Sequence, residues 1–410
     1  MSVLWPRRLV KALCIASAAA LWSTPATAQF FELPVDIAPP GARAAGMGAS
    51  FIALANDATA GSANPAGLTS LPEPEISTHF RFSRVTSQSQ ILGEVIRDTS
   101  TAIVPSFFSY VQPLAGNRLA LSGYFSREVS AEHTREFTWQ RRAPGNQVGD
   151  YRFFDSTRIN IDHIGAAIAV SPTSRLSVGA SIRASRGSLE GIDRAEDFYN
   201  TDLGLTPRQY FFRGTTTGSQ TKPTFTLGAK YSIGEHLGVG GVFRQGQTFA
   251  ATRQSEVTAT GGVSPPISIV EFDEEIRLPM AYGVGGYYQT GKTLLLVDIV
   301  RPQYSRGDFN QTYPARFLTE VHVGFERTFQ PKAGRLLTLR AGAYTDPGHH
   351  PREGEQLSQV LNPGEDRINT DRVFVTTGAG VVVSGNTQLD VALKVAEDRV
   401  DVLLSTVVKF

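Results

Sequence analysis

Cysteine is nearly absent from this chain of 410 residues, Cys14 being the only one. Everything after it therefore lacks disulfides and thiolate-bound metal. Leu13 is bulky and Lys11 interrupts the apolar stretch, so Cys14 makes a poor lipid anchor. Long apolar runs are missing too: the longest, Ala12 to Trp22, falls short of the about 20 residues that a membrane-spanning helix needs. A helical membrane protein is excluded. Nor is there an excess of one charge, since 39 Lys and Arg face 38 Asp and Glu, which leaves no basic field for nucleic acid. Phosphate-cradling loops and Cys-x-x-Cys pairs are absent, and the sequence offers no catalytic residue, metal site or cofactor site.

What is present begins with Arg7, Arg8 and Lys11 ahead of that apolar run, followed by Ala26-Thr27-Ala28. This pattern reads as a secretory signal peptide, residues 1–28, cut before Gln29. The remainder is rich in Gly, Phe and Tyr, with 39, 24 and 12 in the whole chain, and its mean hydropathy is slightly negative. A β-barrel in a membrane has this balance, because each strand shows one face to lipid and the other to a polar lumen.

The last strand, Val400 to Phe410, carries that alternation most clearly. Val400, Val402, Leu404, Thr406, Val408 and Phe410 form one row; Asp401, Ser405 and Lys409 lie on the other, with Leu403 and Val407 as its apolar members. Similar runs recur from Ile76 onward, with up-strands near 75–85, 117–129, 174–186, 236–249, 292–305, 335–345 and 387–396. Down-strands lie near 101–112, 158–170, 221–233, 267–289, 317–329, 371–383 and 399–410. The expected fold is all-β: a transmembrane antiparallel barrel of about fourteen strands, residues 75–410, closed by pairing the last strand with 75–85. Connections around Pro113–Gly116, Ser171–Thr173, Gly234–Glu235, Thr290–Gly291, Gln330–Gly334 and Ser384–Asn386 are short and predicted to be periplasmic. Ser130–Thr157, Gly187–Gln220, Ala250–Pro266 and Asp346–Thr370 are long and polar, and are predicted to be outer loops.

Two irregularities stand out. Asn160 and Asp162 share a face with Ile164 and Ile168, which places polar groups toward lipid. Gly240-Gly241 coincides with a shift of the apolar row, and glycine pairs permit bulges and kinks.

Residues 29–74 are rich in Ala, Gly and Pro without sustained alternation, and read as a plug, or hatch, inside the barrel. They contain Gly41-Ala42-Arg43-Ala44-Ala45-Gly46-Met47-Gly48, then Asn56-Asp57-Ala58-Thr59-Ala60, then Asn64-Pro65-Ala66-Gly67-Leu68. With Pro279, Tyr282, Gly285, Tyr287, Leu294 and Asp298, and the Phe-terminated strand, these motifs resemble the FadL-type outer-membrane transporter superfamily. The exact wording of the hatch is closer to its PorV/PorQ-like branch.

The resemblance implies an outer-membrane barrel for passive uptake of hydrophobic compounds, long-chain fatty acids or hydrocarbons, released sideways after the hatch shifts. Its surroundings would be outer-membrane lipid and lipopolysaccharide. Asn64, Pro65 and Ala66, with Gly46 and Gly48, are the candidate hatch and gating residues, although the same residues can simply shape the plug. Phe198, Tyr199, Tyr210, Phe211 and Phe212 are the candidate aromatic loop for a hydrophobic ligand. The PorV/PorQ-like wording implies an alternative, a barrel that binds a secretion-system protein. His349-His350 form a loop cluster without ligand spacing, and lumen hydrogen bonding accounts for His163 and His322.

Overall fold

A computed structural model of the chain describes residues 39–91, 94–143, 147–200, 208–260, 268–308, 311–330, 336–347, 365–366 and 371–410. The expected signal peptide, Cys14, residues 29–38 of the expected plug and the His349-His350 pair lie outside them.

The wall is a closed antiparallel barrel of 14 strands. In chain order these are β1 (Glu75–Ile91), β2 (Glu94–Leu114), β3 (Leu119–Ala143), β4 (Gln147–Val170), β5 (Leu176–Asn200) and β6 (Arg208–Ser232). Next come β7, in two pieces (Leu237–Arg244 and Gln247–Thr260), β8 (Ser268–Leu278 and Met280–Thr290), β9 (Thr293–Asp308) and β10 (Gln311–Phe317 and Glu320–Phe329). Finally β11 (Leu337–Asp346), β12 (Arg372–Ser384), β13 (Thr387–Val395) and β14 (Arg399–Lys409) complete the ring. β14 pairs with β1 from Glu75↔Lys409 to Val85↔Arg399, so the terminal strand closes the wall as its alternation anticipates. Closure removes the unpaired edge that hydrocarbon would not tolerate.

Period two sorts the side chains. Ile103, Ile164, Ile182, Val284 and Leu404 are more than half exposed on the outside, a position tolerable for large aliphatic groups only against lipid. On the inner face Asp390, Lys394, Asp401, Ser405, Glu320 and His322 are buried. Exposed Tyr110, Tyr231, Tyr288 and Phe329 lie near the short turns, and Phe225, Tyr282 and Phe317 lie toward the other end, as aromatic belts at two interfaces do.

Two expectations need correction. The stretches read as long outer loops between β3 and β4 and between β5 and β6 are mostly strand: β3–β4 pairing runs out to Ala143↔Gln147 and β5–β6 pairing to Tyr199↔Arg208. These hairpins project beyond the apolar band, where both faces meet water and the alternation that marks a strand disappears from the sequence. Secondly, the ladder is unbroken at Gly240-Gly241, which pair with Lys230 and Ala229 on one side and Gly285 and Val284 on the other. The interruption of β7 falls instead at Gln245-Gly246.

Candidate functional site

The lumen is filled in tiers, and the lowest, at the short-turn end, is the segment ahead of β1. Its small residues form only brief turns, α1 (Ala42–Gly46), α2 (Ala60–Ala63) and a 3-10 turn (Pro65–Ser70), and nearly all of them are buried. Irregular backbone at membrane depth must find its hydrogen bonds within the protein. Asp298 on β9 supplies them at one point, its Oδ2 accepting from the N–H of Phe51 (2.6 Å) and Ile52 (2.9 Å). Thr376 Oγ1 on β12 accepts from Gly48 N–H at 2.9 Å, and Gly48 O lies 2.9 Å from His322 Nδ1. Lys230 Nζ donates to Leu54 O. Ala42 N–H reaches Ser405 Oγ on β14 at 2.7 Å.

Charge anchors the same segment. Arg43 forms a fork onto Glu326 at 3.0 and 3.1 Å and donates to Asn56 Oδ1 at 2.7 Å. Burial alone would lower the Arg43 pKa, but the Glu326 carboxylate more than offsets this and holds it above the ordinary arginine value. Arg340 extends the network, bonding Glu326 and Asp390 at 2.7 Å each.

The candidate gating residues lie within this tier as fully enclosed structure. Asn64 caps the 3-10 turn, its Oδ1 accepting from Ala66 N–H at 3.2 Å while its Nδ2 donates to Ile52 O at 2.8 Å. Pro65 starts the turn and, with Ala66, packs on Gly179 of β5. Gly48 has φ of +64° and faces the backbone of Val323 and Ala343, where a Cβ would lie 2.3 Å from Val323 O; Gly46 packs on Gly378. Asp298, quoted above only for its place in a motif, proves to be a principal anchor. A buried acidic residue on the lumen face of an apolar strand was the available signal.

Above the segment lies a polar chamber of about 50 Å³, lined by Arg81, Ser106, Glu128, Arg183, Arg244 and Lys394. Its carboxylate, Glu128, touches His163 Nε2 at 2.5 Å, and His163 Nδ1 is 2.7 Å from Ser185 Oγ. Opposite, His322, Tyr344 and Phe374 stack at 5.0 and 4.6 Å, with Lys394 Nζ 5.4 Å from the centres of the last two rings.

The wall beside this chamber is interrupted. β2 pairs with β3 only from Leu114↔Leu119 to Phe107↔Ser126, although β2 follows β1 out to Glu94 and β3 follows β4 out to Ala143. Bulges mark the branch point on both strands: Phe107 and Pro105 pair with consecutive residues of β1, leaving Ser106 extra, and Arg127 and Val129 do so with β4, leaving Glu128 extra. Outward Arg127 bonds Asp162 at 2.6 and 2.9 Å, and Ser130 bonds Asn160 at 3.0 Å, which accounts for the polar residues that break the apolar face of β4. The lining of the chamber includes inward Arg183 and, at the seam, Arg127, so the chamber lies against the break in the ladder. From the lower tier it meets Pro39, Pro40, Gly41 and Ser62 rather than Asn64-Pro65-Ala66, which pack on the far side against β5 to β7.

The topmost described tier is apolar: Val129, Ile159, Ile161, Leu189, Phe249, Ala251 and Leu278 form one buried cluster inside the barrel. Of the candidate ligand-loop residues, Phe198 and Tyr199 have their backbone on β5, and Tyr210, Phe211 and Phe212 theirs on β6. All five belong to one hairpin in which Phe211 pairs with Glu196 and Phe198 with Gln209. Their side chains lie outside the described residues.

Solved structures share this fold. A Pseudomonas aeruginosa FadL homologue matches with a TM-score of 0.63 at 12% identity, over 90% of this chain and 98% of its own. The P. putida toluene transporter TodX matches with 0.64 at 15%, over 92% and 99%. The fold is that of the FadL-type outer-membrane transporters. Within this FadL-type fold the Ralstonia pickettii toluene transporter TbuX also aligns, with a TM-score of 0.58 at 14% identity over 92% of this chain and 99% of its own. No family model matches the sequence, and no curated protein does.

Proposed function

We propose that this protein is a bacterial outer-membrane channel for the passive uptake of hydrophobic compounds, which leave the lumen sideways into the bilayer. The observation that carries this reading is the seam between β2 and β3, where the ladder of the wall stops beside a lumen chamber whose lining reaches outward Arg127. Apolar solutes gain by entering lipid directly instead of crossing water at the short-turn end. The fold shared with a FadL homologue and two toluene transporters supports the same reading. So does the filled lower lumen, because a barrel corked by a paired-charge network gives polar solutes no straight path.

The hatch role of residues 39–74 follows from this reading. Pro39 to Gly41 and Ser62 lie where the seam meets the lumen, so a small displacement there would widen or close the exit. A barrel whose task is to hold a secretion partner has no need of an interrupted wall, and the seam speaks for uptake over that role. Apolarity defines the substrate class here, with fatty acids and hydrocarbons both within it.

Removing the bulge residue Glu128 tests the exit. The deletion brings β3 back into register and lets its pairing with β2 continue upward, so uptake of a labelled hydrocarbon by intact cells is expected to fall to the level of cells without the protein. Folding is checked by heat-modifiable gel mobility. Undiminished uptake by a folded deletion variant would rule out exit through this seam.

A further inference from the structure

The apolar tier above the chamber is built by a wall strand that leaves the wall. Between Thr226↔Arg244 and Thr217↔Thr252 no ladder pair joins β6 to β7, while β7 stays in continuous register with β8 from Leu237↔Tyr288 through Gln247↔Leu278 to Val257↔Ser268. Residues 247–251 are thus held by backbone pairing on the β8 side only, while just below them Gln245 N–H still donates to Phe225 O of β6 at 3.1 Å. On the other side, side chains substitute for the ladder: Lys222 Nζ donates to Thr248 O at 2.5 Å, and Gln220 Oε1 accepts from Ala250 N–H at 3.0 Å.

The free stretch folds inward. A Cβ on Gly218 of β6 would lie 2.6 Å from Ala251 Cα, so the β7 backbone lies across the inner face of β6. One strand further round, a Cβ on Gly187 of β5 would lie 2.5 Å from the Phe249 ring. Phe249 is 1% exposed and meets residues of β3, β4 and β5 in the apolar cluster. Since Val129 and Ile161 sit one inward position, and Ile159 and Leu189 two, toward the hairpin end from Glu128, His163 and Ser185, the cluster lies between the outside and the chamber. At the foot of the stretch Gln247 is 8% exposed, and neither amide atom has a hydrogen-bond partner among the described residues. Buried amides without protein partners are costly, so Gln247 adds nothing that fixes this stretch in place.

We propose that residues 247–251 of β7 form the outer gate of the conduit, and that Phe249 sets the size of apolar solute admitted from the hairpin end to the chamber. The inference rests on the uptake reading above and adds an element to it: a gate made of the wall, separate from residues 39–74. A dry aliphatic and aromatic constriction accepts compact hydrocarbons and rejects hydrated ions, and its opening costs side-chain contacts and the few polar bonds that join the stretch to β6. Removing a ring from such a constriction relaxes discrimination by size more than by chemistry.

The test compares uptake of radiolabelled naphthalene and phenanthrene by intact cells carrying the full chain. Phe249→Ala is expected to raise the phenanthrene-to-naphthalene uptake ratio by at least about threefold, and Phe249→Trp to lower it. Leu189→Ala, which trims the same cluster from β5, is expected to act in the direction of Phe249→Ala, and serves if that variant does not fold. A ratio unchanged in folded variants overturns the gate while leaving the channel in place. Wild-type cells that take up neither solute faster than cells lacking the protein would overturn the channel reading itself, and this proposal with it. A second readout needs no transport: Phe249→Cys in a chain whose one native cysteine is Cys14. Naphthalene is expected to slow its reaction with N-phenylmaleimide severalfold, and an unaltered rate would remove the solute from this site.

Discussion

Asp298 shows how much of the lumen depends on single acceptors. One carboxylate oxygen takes two consecutive N–H groups from a segment with no regular structure of its own, in a site 1% exposed. Asp298→Asn keeps an oxygen there but loses the charge, which should cost about 1 kcal/mol, whereas Asp298→Ala strands both donors and should cost about 3 kcal/mol or more. Hydrogen exchange at the Phe51 and Ile52 amides measures this directly, and equal rates in the two variants would show that the carboxylate does not hold the segment. The polar outward pair Arg127 and Asp162 makes a related point. In the sequence Asp162 is an error in an apolar row; in the fold it is half of an ion pair at the lip of a seam. Its partner is 35 positions away, so nothing in the local pattern could announce it.

At the scale of elements, the strands with one lipid face and one lumen face were legible wherever both faces were continuous. β13 alternates because outward Leu389 and Val391 meet hydrocarbon while inward Asp390 and Lys394 join buried charges, and in β14 the inner row mixes Asp401 and Ser405 with apolar Leu403, which packs on Ala42 and Ala45. The outer halves of β3 to β6 escaped notice because water on both faces imposes no alternation. Phe249 escaped for the opposite reason: an aromatic residue at the right phase of an apolar strand reads as lipid-facing, and only the departure of β7 from β6 turns it inward. Short elements are placed by contact rather than by propensity. The 3-10 turn Pro65–Ser70 lies on β5 so closely that a Cβ on Gly179 would sit 2.5 Å from Pro65 C. Gly179→Ala should therefore destabilise the folded barrel by about 1–3 kcal/mol, while Gly123→Ala, which meets nothing within 4 Å, should not. Midpoints of heat-modifiable gel mobility compare the two, and a matching pair of midpoints would mean that the turn is not pressed against the wall.

For the whole molecule, a wall of 14 strands lies between the small barrels that their own side chains fill and the larger ones that hold a water channel. What separates this barrel from a pore is its contents. Deleting residues 39–71 while keeping the strands should turn a silent protein into an ion-conducting one in a planar bilayer, in discrete current steps. Absence of conductance from the folded deletion variant would place the seal in the wall, in the tier around Phe249.

The bond from Ala42 N–H to Ser405 Oγ joins groups 363 positions apart, and Ser405 belongs to the strand that zips onto β1. The strand that closes the wall thus also holds the lumen segment, and both contacts join groups near the two ends of the described chain. Such distant meetings are entropically slow, and until they occur both rims of the nascent wall remain sticky. A cell making this protein has to shelter an open intermediate for as long as the last strand takes to find the first.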